Sequence, residues 1–125
     1  MEHKIISHKD LKIWKDSISL ALDTYEFTKK FPPAEKYGLI SQIRRSAVSV
    51  PSNIAEGKNR GTRNDYRHFL RIARGSLAEY ETQIEISYQL GFIPSDVYEK
   101  TQDCITQIGK MINAIIKKLS ISPNT

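Results

Sequence analysis

Residues 42–57 read QIRRSAVSVPSNIAEG. Ile43, Ala47, Val50 and Ile54 recur at steps of four, three and four, which is one face of a helix. Pro51 lies inside that stripe. A proline in a helix interior removes one amide hydrogen bond and crowds the carbonyl four residues back, here that of Ala47, at a cost of about 3 kcal/mol. The stripe nevertheless keeps its phase on both sides of the ring, so the expectation is a kinked helix rather than two helices. Ser49 and Ser52 are placed to satisfy groups that the ring frees.

Working outward, Leu39 extends the stripe towards the N-terminus, and Pro32-Pro33 marks a start with Glu35 in the first turn, where a negative charge suits the helix dipole. Gly57 reads as the C-terminal stop. Upstream, Leu11, Trp14, Ile18, Ala21, Tyr25 and Thr28 form a helical stripe ended by Phe31-Pro32-Pro33. Downstream, Thr62-Arg63-Asn64-Asp65 resembles a capping box. It opens a helix carrying Tyr66, Phe69, Ala73, Leu77, Tyr80, Ile84 and Ser87, which stops at Gly91. Ser95 caps a fourth helix with the stripe Val97, Cys104, Ile108, Met111, Ile115 and Leu119. No stretch shows strand-type alternation. Short connections make each helix antiparallel to the one before. The sequence therefore predicts one all-α domain over residues 1–125, an up-down-up-down antiparallel four-helix bundle with helices at about 9–30, 33–57, 63–90 and 95–120.

Composition bounds the function classes. The chain has 125 residues, 39% hydrophobic and 26% charged, enough for one core without staples. No apolar run approaches the length that spans a bilayer, and MEHKIISHKD lacks the apolar region of a secretory signal, so no membrane association is expected. The single Cys104 fits a reducing, cytoplasmic setting. It reads as a small apolar residue on a helix.

The net charge of +5 is unevenly placed. Between Lys36 and Arg74 lie nine Lys and Arg against two acids, and all seven arginines fall in that window. Arginine's planar fork suits phosphates, carboxylates and aromatic faces. Arg63, Arg67, Arg71 and Arg74 form a strip along the third helix, with Lys58 and Arg60 in the adjoining loop and His68 nearby. Such a row can track a phosphate backbone of RNA or DNA. The same arginines can instead pair with Glu56, Glu79, Glu81 and Glu85 on the next helix or the next subunit. Arg44 and Arg45 suit that structural role, since an antiparallel hairpin brings them opposite Ser76–Glu79, where Gly75 and Ser76 would allow close approach. Both readings stand at this level.

The first helix carries a second seam. Ile13, Leu20 and Phe27, spaced by seven, lie roughly opposite the stripe from Leu11 to Tyr25, with Ser17 and Thr24 between them. Ile72, Ile86 and Leu90 hint at the same on the third helix, interrupted by Glu79. Three large apolar residues in heptad register suit packing against another helix, so these five positions are the expected subunit contact of a homo-oligomer.

Catalytic patterns are missing. His3, His8 and His68 form no H-x-x-x-H or H-E-x-x-H pattern, and one cysteine cannot build a C-x-x-C zinc site. There is no P-loop, G-x-G-x-x-G or G-x-S-x-G, nor the E-x-x-H pairs of di-iron bundles. Neither an enzyme, a cofactor nor a metal is expected.

The run YGLISQIRRSAVSVPSNIAEGKNR, followed by DYRHFLRIARGSLAEYETQ, resembles the signature of the "four helix bundle protein" family, also called S23 or 23S rRNA intervening-sequence proteins. The likeness extends from about Leu11 to Leu119 and includes Trp14, Arg44-Arg45, Ser49 to Gly57 and Ala73 to Ser76. That family is similar to the accessory variability determinant of diversity-generating retroelements, a basic, barrel-shaped pentamer. The resemblance implies a homopentameric ring and, as partners, nucleic acid and a protein such as a reverse transcriptase. It implies no activity and no catalytic residues.

Overall fold

The computed structural model describes residues 7–121, of which four α-helices account for most: α1 (Lys12–Thr28), α2 (Leu39–Asn59), α3 (Arg63–Gln89) and α4 (Ser95–Leu119). No strand occurs among the described residues. The described residues begin with a capped single turn, His8–Asp10, in which Ser7 and Asp10 bond each other's backbone amides. A second short turn, Pro33–Glu35, joins α1 to α2. There Glu35 accepts a hydrogen bond from the Leu39 amide at 3.2 Å, so α2 starts at Leu39 and not at the prolines. Thr62 caps α3 by accepting from the Asp65 amide at 3.1 Å. The turns before α3 and after it use Gly61 and Gly91 at φ 90° and 83°, a region disfavoured for side-chain-bearing residues.

The helices pack as an antiparallel bundle in which α2 and α3 form the most extensive contact and α1 and α4 the least. The first of these explains the composition of the opening stretch. Ser46, Ser49, Asn53 and Gly57 lie on the α3 side of α2. Ser46 donates to Gln83 Oε1 at 2.7 Å, and the hydroxyls of Ser49 and Ser76 meet at 2.8 Å. At Gly57 a Cβ would come within 2.7 Å of the Phe69 Cβ and 3.3 Å of the Tyr66 backbone. Gly57 is therefore buried inside the helix as the point of closest approach, and α2 runs on to Asn59. Gly75, expected at this contact, faces open space. The helix continues through Pro51, which is itself buried. Beside it Ser52 and Asn53 donate to the carbonyls of Val48 and Ser49, at 2.7 and 2.8 Å.

The phase of α1 differs from the sequence reading. Ile13, Ser17, Leu20 and Thr24 are all at most 3% exposed and form the core face, with Phe27 half-buried beside them. The seam assigned to a subunit contact thus lies inside the chain's own bundle. Of the stripe read as core, Ala21 and Thr28 are buried, whereas Leu11, Trp14, Ile18 and Tyr25 occupy the flank towards α2 and are half-buried or exposed. The cause is hydroxyl chemistry: Ser17, Thr24 and Thr28 donate to the carbonyls of Ile13, Leu20 and Thr24 at 2.6–2.7 Å, which lets polar residues be buried without an unsatisfied group. Thr24 also meets the Tyr80 hydroxyl at 2.6 Å across the core. Burial pushes the Tyr80 phenol well above its ordinary pKa. A smaller rotation affects α4, whose buried residues are Thr101, Ile105, Ile108, Ile112 and Ile116.

Candidate nucleic-acid interface

Folding gathers the basic residues at one end of the bundle. The single turn before α1 meets the C-terminal end of α2 through His8 Nδ1 and Asn59 Nδ2, 2.8 Å apart. The start of α3 meets the end of α4 through Arg63, whose terminal nitrogen donates to the carbonyls of Lys118, Leu119 and Ile121 at 3.2, 3.2 and 2.8 Å. Residues 7–20, 49–76 and 107–121 make up this half, with twelve Lys and Arg against four acids; residues 21–48 and 77–106 carry six against nine. The molecule is electrically polar along its length.

The six residues singled out in the sequence all lie at the basic end. Arg63, Arg67, Arg71 and Arg74 run along α3 on its α4 side, where Arg74 donates to Asn113 Oδ1 at 3.0 Å. Arg67 donates to Asn64 Oδ1 at 2.8 Å, and Arg71 is exposed with no side-chain partner among the described residues. Among the described residues Arg60 alone of the six has a carboxylate partner, Glu56 at 2.9 Å, and its guanidinium also lies over the Phe69 ring at 5.1 Å. The Lys58 ammonium lies over the Tyr66 ring at 5.5 Å, and burial raises the Tyr66 phenol above its ordinary pKa. His68 packs edge-on to Phe69. A recess of about 370 Å³ opens between Arg63, Arg67, Asn64 and the last residues of α4.

Arg44 is structural, though its partners are not carboxylates. It turns to α1, donating to Thr28 Oγ1 at 3.0 Å and the Tyr25 carbonyl at 3.3 Å with its guanidinium 4.5 Å from the Tyr25 ring centre. Arg45 is exposed, and Glu79 accepts from Gln83 Nε2 at 3.2 Å, so the expected Arg–Glu contact across α2 and α3 is not formed within the chain. The hydroxyl pair of Ser49 and Ser76 occupies that level instead.

Sequence reasoning missed Lys9, Lys12, Lys15, Lys110, Lys117 and Lys118, which share the basic end. The signal was available, because an up-down-up-down topology returns the start of the first helix and the end of the last to the turn between the second and third. Among the described residues no group of three or more His, Cys, Asp or Glu is placed to hold a metal ion. None of their helices is long and apolar enough to cross a membrane.

Among curated proteins none matches the sequence. Among solved structures, the chain is similar to a protein of unknown function from the S23 ribosomal protein family of Bacteroides thetaiotaomicron VPI-5482. The two share 27% identity and a TM-score of 0.75 over 84% of this chain and 98% of that one. The sequence profile of the 23S rRNA-intervening sequence proteins matches residues 9–114. On that match, which covers α1, α2, α3, most of α4 and the full arginine strip, the chain belongs to the 23S rRNA-intervening sequence protein family.

Proposed function

We propose that this chain is a non-enzymatic, cytoplasmic, self-associating bundle that binds nucleic acid, RNA in preference to DNA, through its basic end. One observation carries the reading: twelve cationic side chains share an end with four acids, and Arg60 alone of the six predicted contacts is ion-paired to a carboxylate. Guanidinium groups held by neutral amides and carbonyls keep their charge for a phosphate. Base readout is not part of the proposal, because the aromatics beside the strip, Tyr66 and Phe69, are half-buried beneath Lys58 and Arg60. The choice of RNA over DNA is supported by the family's name alone, since a row of arginines suits either backbone.

Binding to mixed RNA at 50 and 200 mM salt tests the reading. About six phosphate contacts predict a loss of roughly 10³-fold or more between the two. Reversing Arg67, Arg71 and Arg74 to glutamate leaves Arg63 in place at the end of α4 and should abolish binding at both concentrations with helicity unchanged. Undiminished RNA binding by that variant removes the proposal.

A second reading, a protein scaffold, is favoured by one exposed apolar face. Leu22 is 63% exposed and Tyr25 and Val48 each 41%, all on the outer side of α1 and α2 next to Ile18. In this reading a second copy covers that face, and the pentamer implied by resemblance is its closed form. Sedimentation of Leu22→Glu at several concentrations tests whether that face is the subunit contact. RNA binding by the parent chain separates the readings, since a scaffold whose arginines are spent on subunit contacts binds little RNA at either salt concentration.

A further inference from the structure

The seam between α1 and α4 is the least closely packed in the bundle, and two hollows lie along it. One, of about 270 Å³, is lined by Leu20 and Phe27 of α1 and by Val97, Thr101 and Cys104 of α4. The other, of about 280 Å³, continues from Cys104 past Ser19 to Ile108 and is almost wholly apolar. Together they run beside α1 from Asp16 to Lys30, about 21 Å or four helical turns at 1.5 Å per residue. The rim carries Asp16, Asp23, Glu26 and Asp103 against Lys30 and Lys100. Asp16 and Glu26 already pair with Lys12 and Lys29 on the outer side, at 2.7 and 3.0 Å. Asp23 and Asp103 have no ion-pair partner among the described residues, and both stand exposed at the middle of the groove. Burial first, then the nearby charge of Asp23, raises the Cys104 thiol pKa.

We propose that this groove receives an amphipathic helix of another protein, about four turns long, with apolar residues at steps of three and four and a lysine or arginine flanking them at mid-length. The apolar floor supplies contact area in the helix-in-groove manner. The two unpaired carboxylates set the sign of the occupant's flanking charge. Lys30 and Lys100, both at one end of the groove, favour an acidic residue at that end of the occupant and so fix its direction. The site is on a different face from the arginine strip and does not depend on nucleic-acid binding.

The sole cysteine, half-buried where the two hollows meet, is a built-in reporter. The probes are two synthetic amphipathic peptides with the same leucine stripe, one flanked by lysines and the other by glutamates. The lysine peptide should slow modification of Cys104 by a small thiol reagent by about tenfold or more at saturation, and the glutamate peptide should not. Because the whole chain is cationic at +5, capture of a cationic peptide requires a local acidic site. Asp23→Lys with Asp103→Lys, both at exposed positions, should reverse the preference with the helical circular dichroism unchanged. Equal protection by the two peptides, or by neither, overturns the proposal. So does protection that grows with the protein's own concentration in the absence of peptide, because a second copy then fills the groove.

Discussion

Replacing glycine with alanine at two positions tests the account of how α2 and α3 pack. In an exposed helix interior the change should stabilise by about 0.5–1 kcal/mol, since alanine loses less backbone entropy. Gly75 on α3 faces open space and should show that gain. At Gly57 the same gain is opposed by a clash, because the new Cβ would lie 2.7 Å from the Phe69 Cβ and 3.3 Å from the Cα and carbonyl oxygen of Tyr66. These are atoms on or next to the backbone and cannot rotate away, so α2 and α3 must separate. That separation strains the neighbouring Ser49–Ser76 and Ser46–Gln83 hydrogen bonds. Overpacking of this kind costs about 1–3 kcal/mol, which outweighs the propensity gain and leaves Gly57→Ala destabilised by about 1–2 kcal/mol. Urea titration followed by circular dichroism should move the two midpoints in opposite directions at constant slope. A Gly57→Ala midpoint equal to that of Gly75→Ala would refute the close approach.

Tyr80→Phe removes the hydroxyl that meets Thr24 but leaves Thr24 bonded to the Leu20 carbonyl, so it should cost only about 1 kcal/mol by thermal unfolding. The buried Tyr80 phenol has its folded pKa raised above the unfolded value of about 10, so its share of stability is intact below pH 10 and is lost as pH rises beyond; Tyr80→Phe should unfold less steeply in alkali than the parent chain. Leu20→Glu places a charge at a position 3% exposed and should destabilise by about 3 kcal/mol or more in urea titration, whereas Leu22→Glu, at 63%, should change stability by less than about 0.5 kcal/mol. Arg63→Ala removes a donor from the carbonyls of Lys118 and Leu119 in the last turn of α4 and of Ile121 just beyond it, and hydrogen exchange should speed up in that turn while the core amides stay protected.

What was legible in the sequence depended on how apolar each buried face is. The core of α2 includes Ile43, Ala47, Val50 and Ile54, and that of α3 Ala73, Leu77, Tyr80 and Ile84, which periodicity located. At the start of α3, however, it chose half-buried Tyr66 and Phe69 and passed over the buried Leu70. On α1 three of the buried positions are hydroxyl residues satisfied by their own helix, while Trp14, Ile18 and Tyr25 lie on the flank. A stripe search that weights apolar residues then settles on the flank. On α4 the same effect is milder, since Thr101 donates to the Val97 carbonyl at 2.7 Å and a run of isoleucines fills the rest of the face. The arginine strip was readable because it belongs to one helix. The lysines that complete the basic end come from opposite ends of the chain, and only the fold brings them together.

The two halves of the functional reading follow from one asymmetry in packing. Small residues on α2 draw α3 against it, so the helix bearing the arginine strip is held by the tightest contact in the bundle. Lys58 and Arg60 lie over Tyr66 and Phe69 at that contact, and Arg63 ties it to the end of α4. Charges fixed on a rigid helix pair lose little side-chain and backbone freedom when a phosphate backbone binds, which favours affinity without any base contact. On the opposite side α1 and α4 make the least extensive contact of the bundle. Half-buried Phe27, Val97 and Cys104 line the space left between those helices, which is the groove. A rigid cationic surface and an apolar cleft therefore occupy separate faces of the bundle, and a partner helix in the cleft would leave the arginines exposed to RNA.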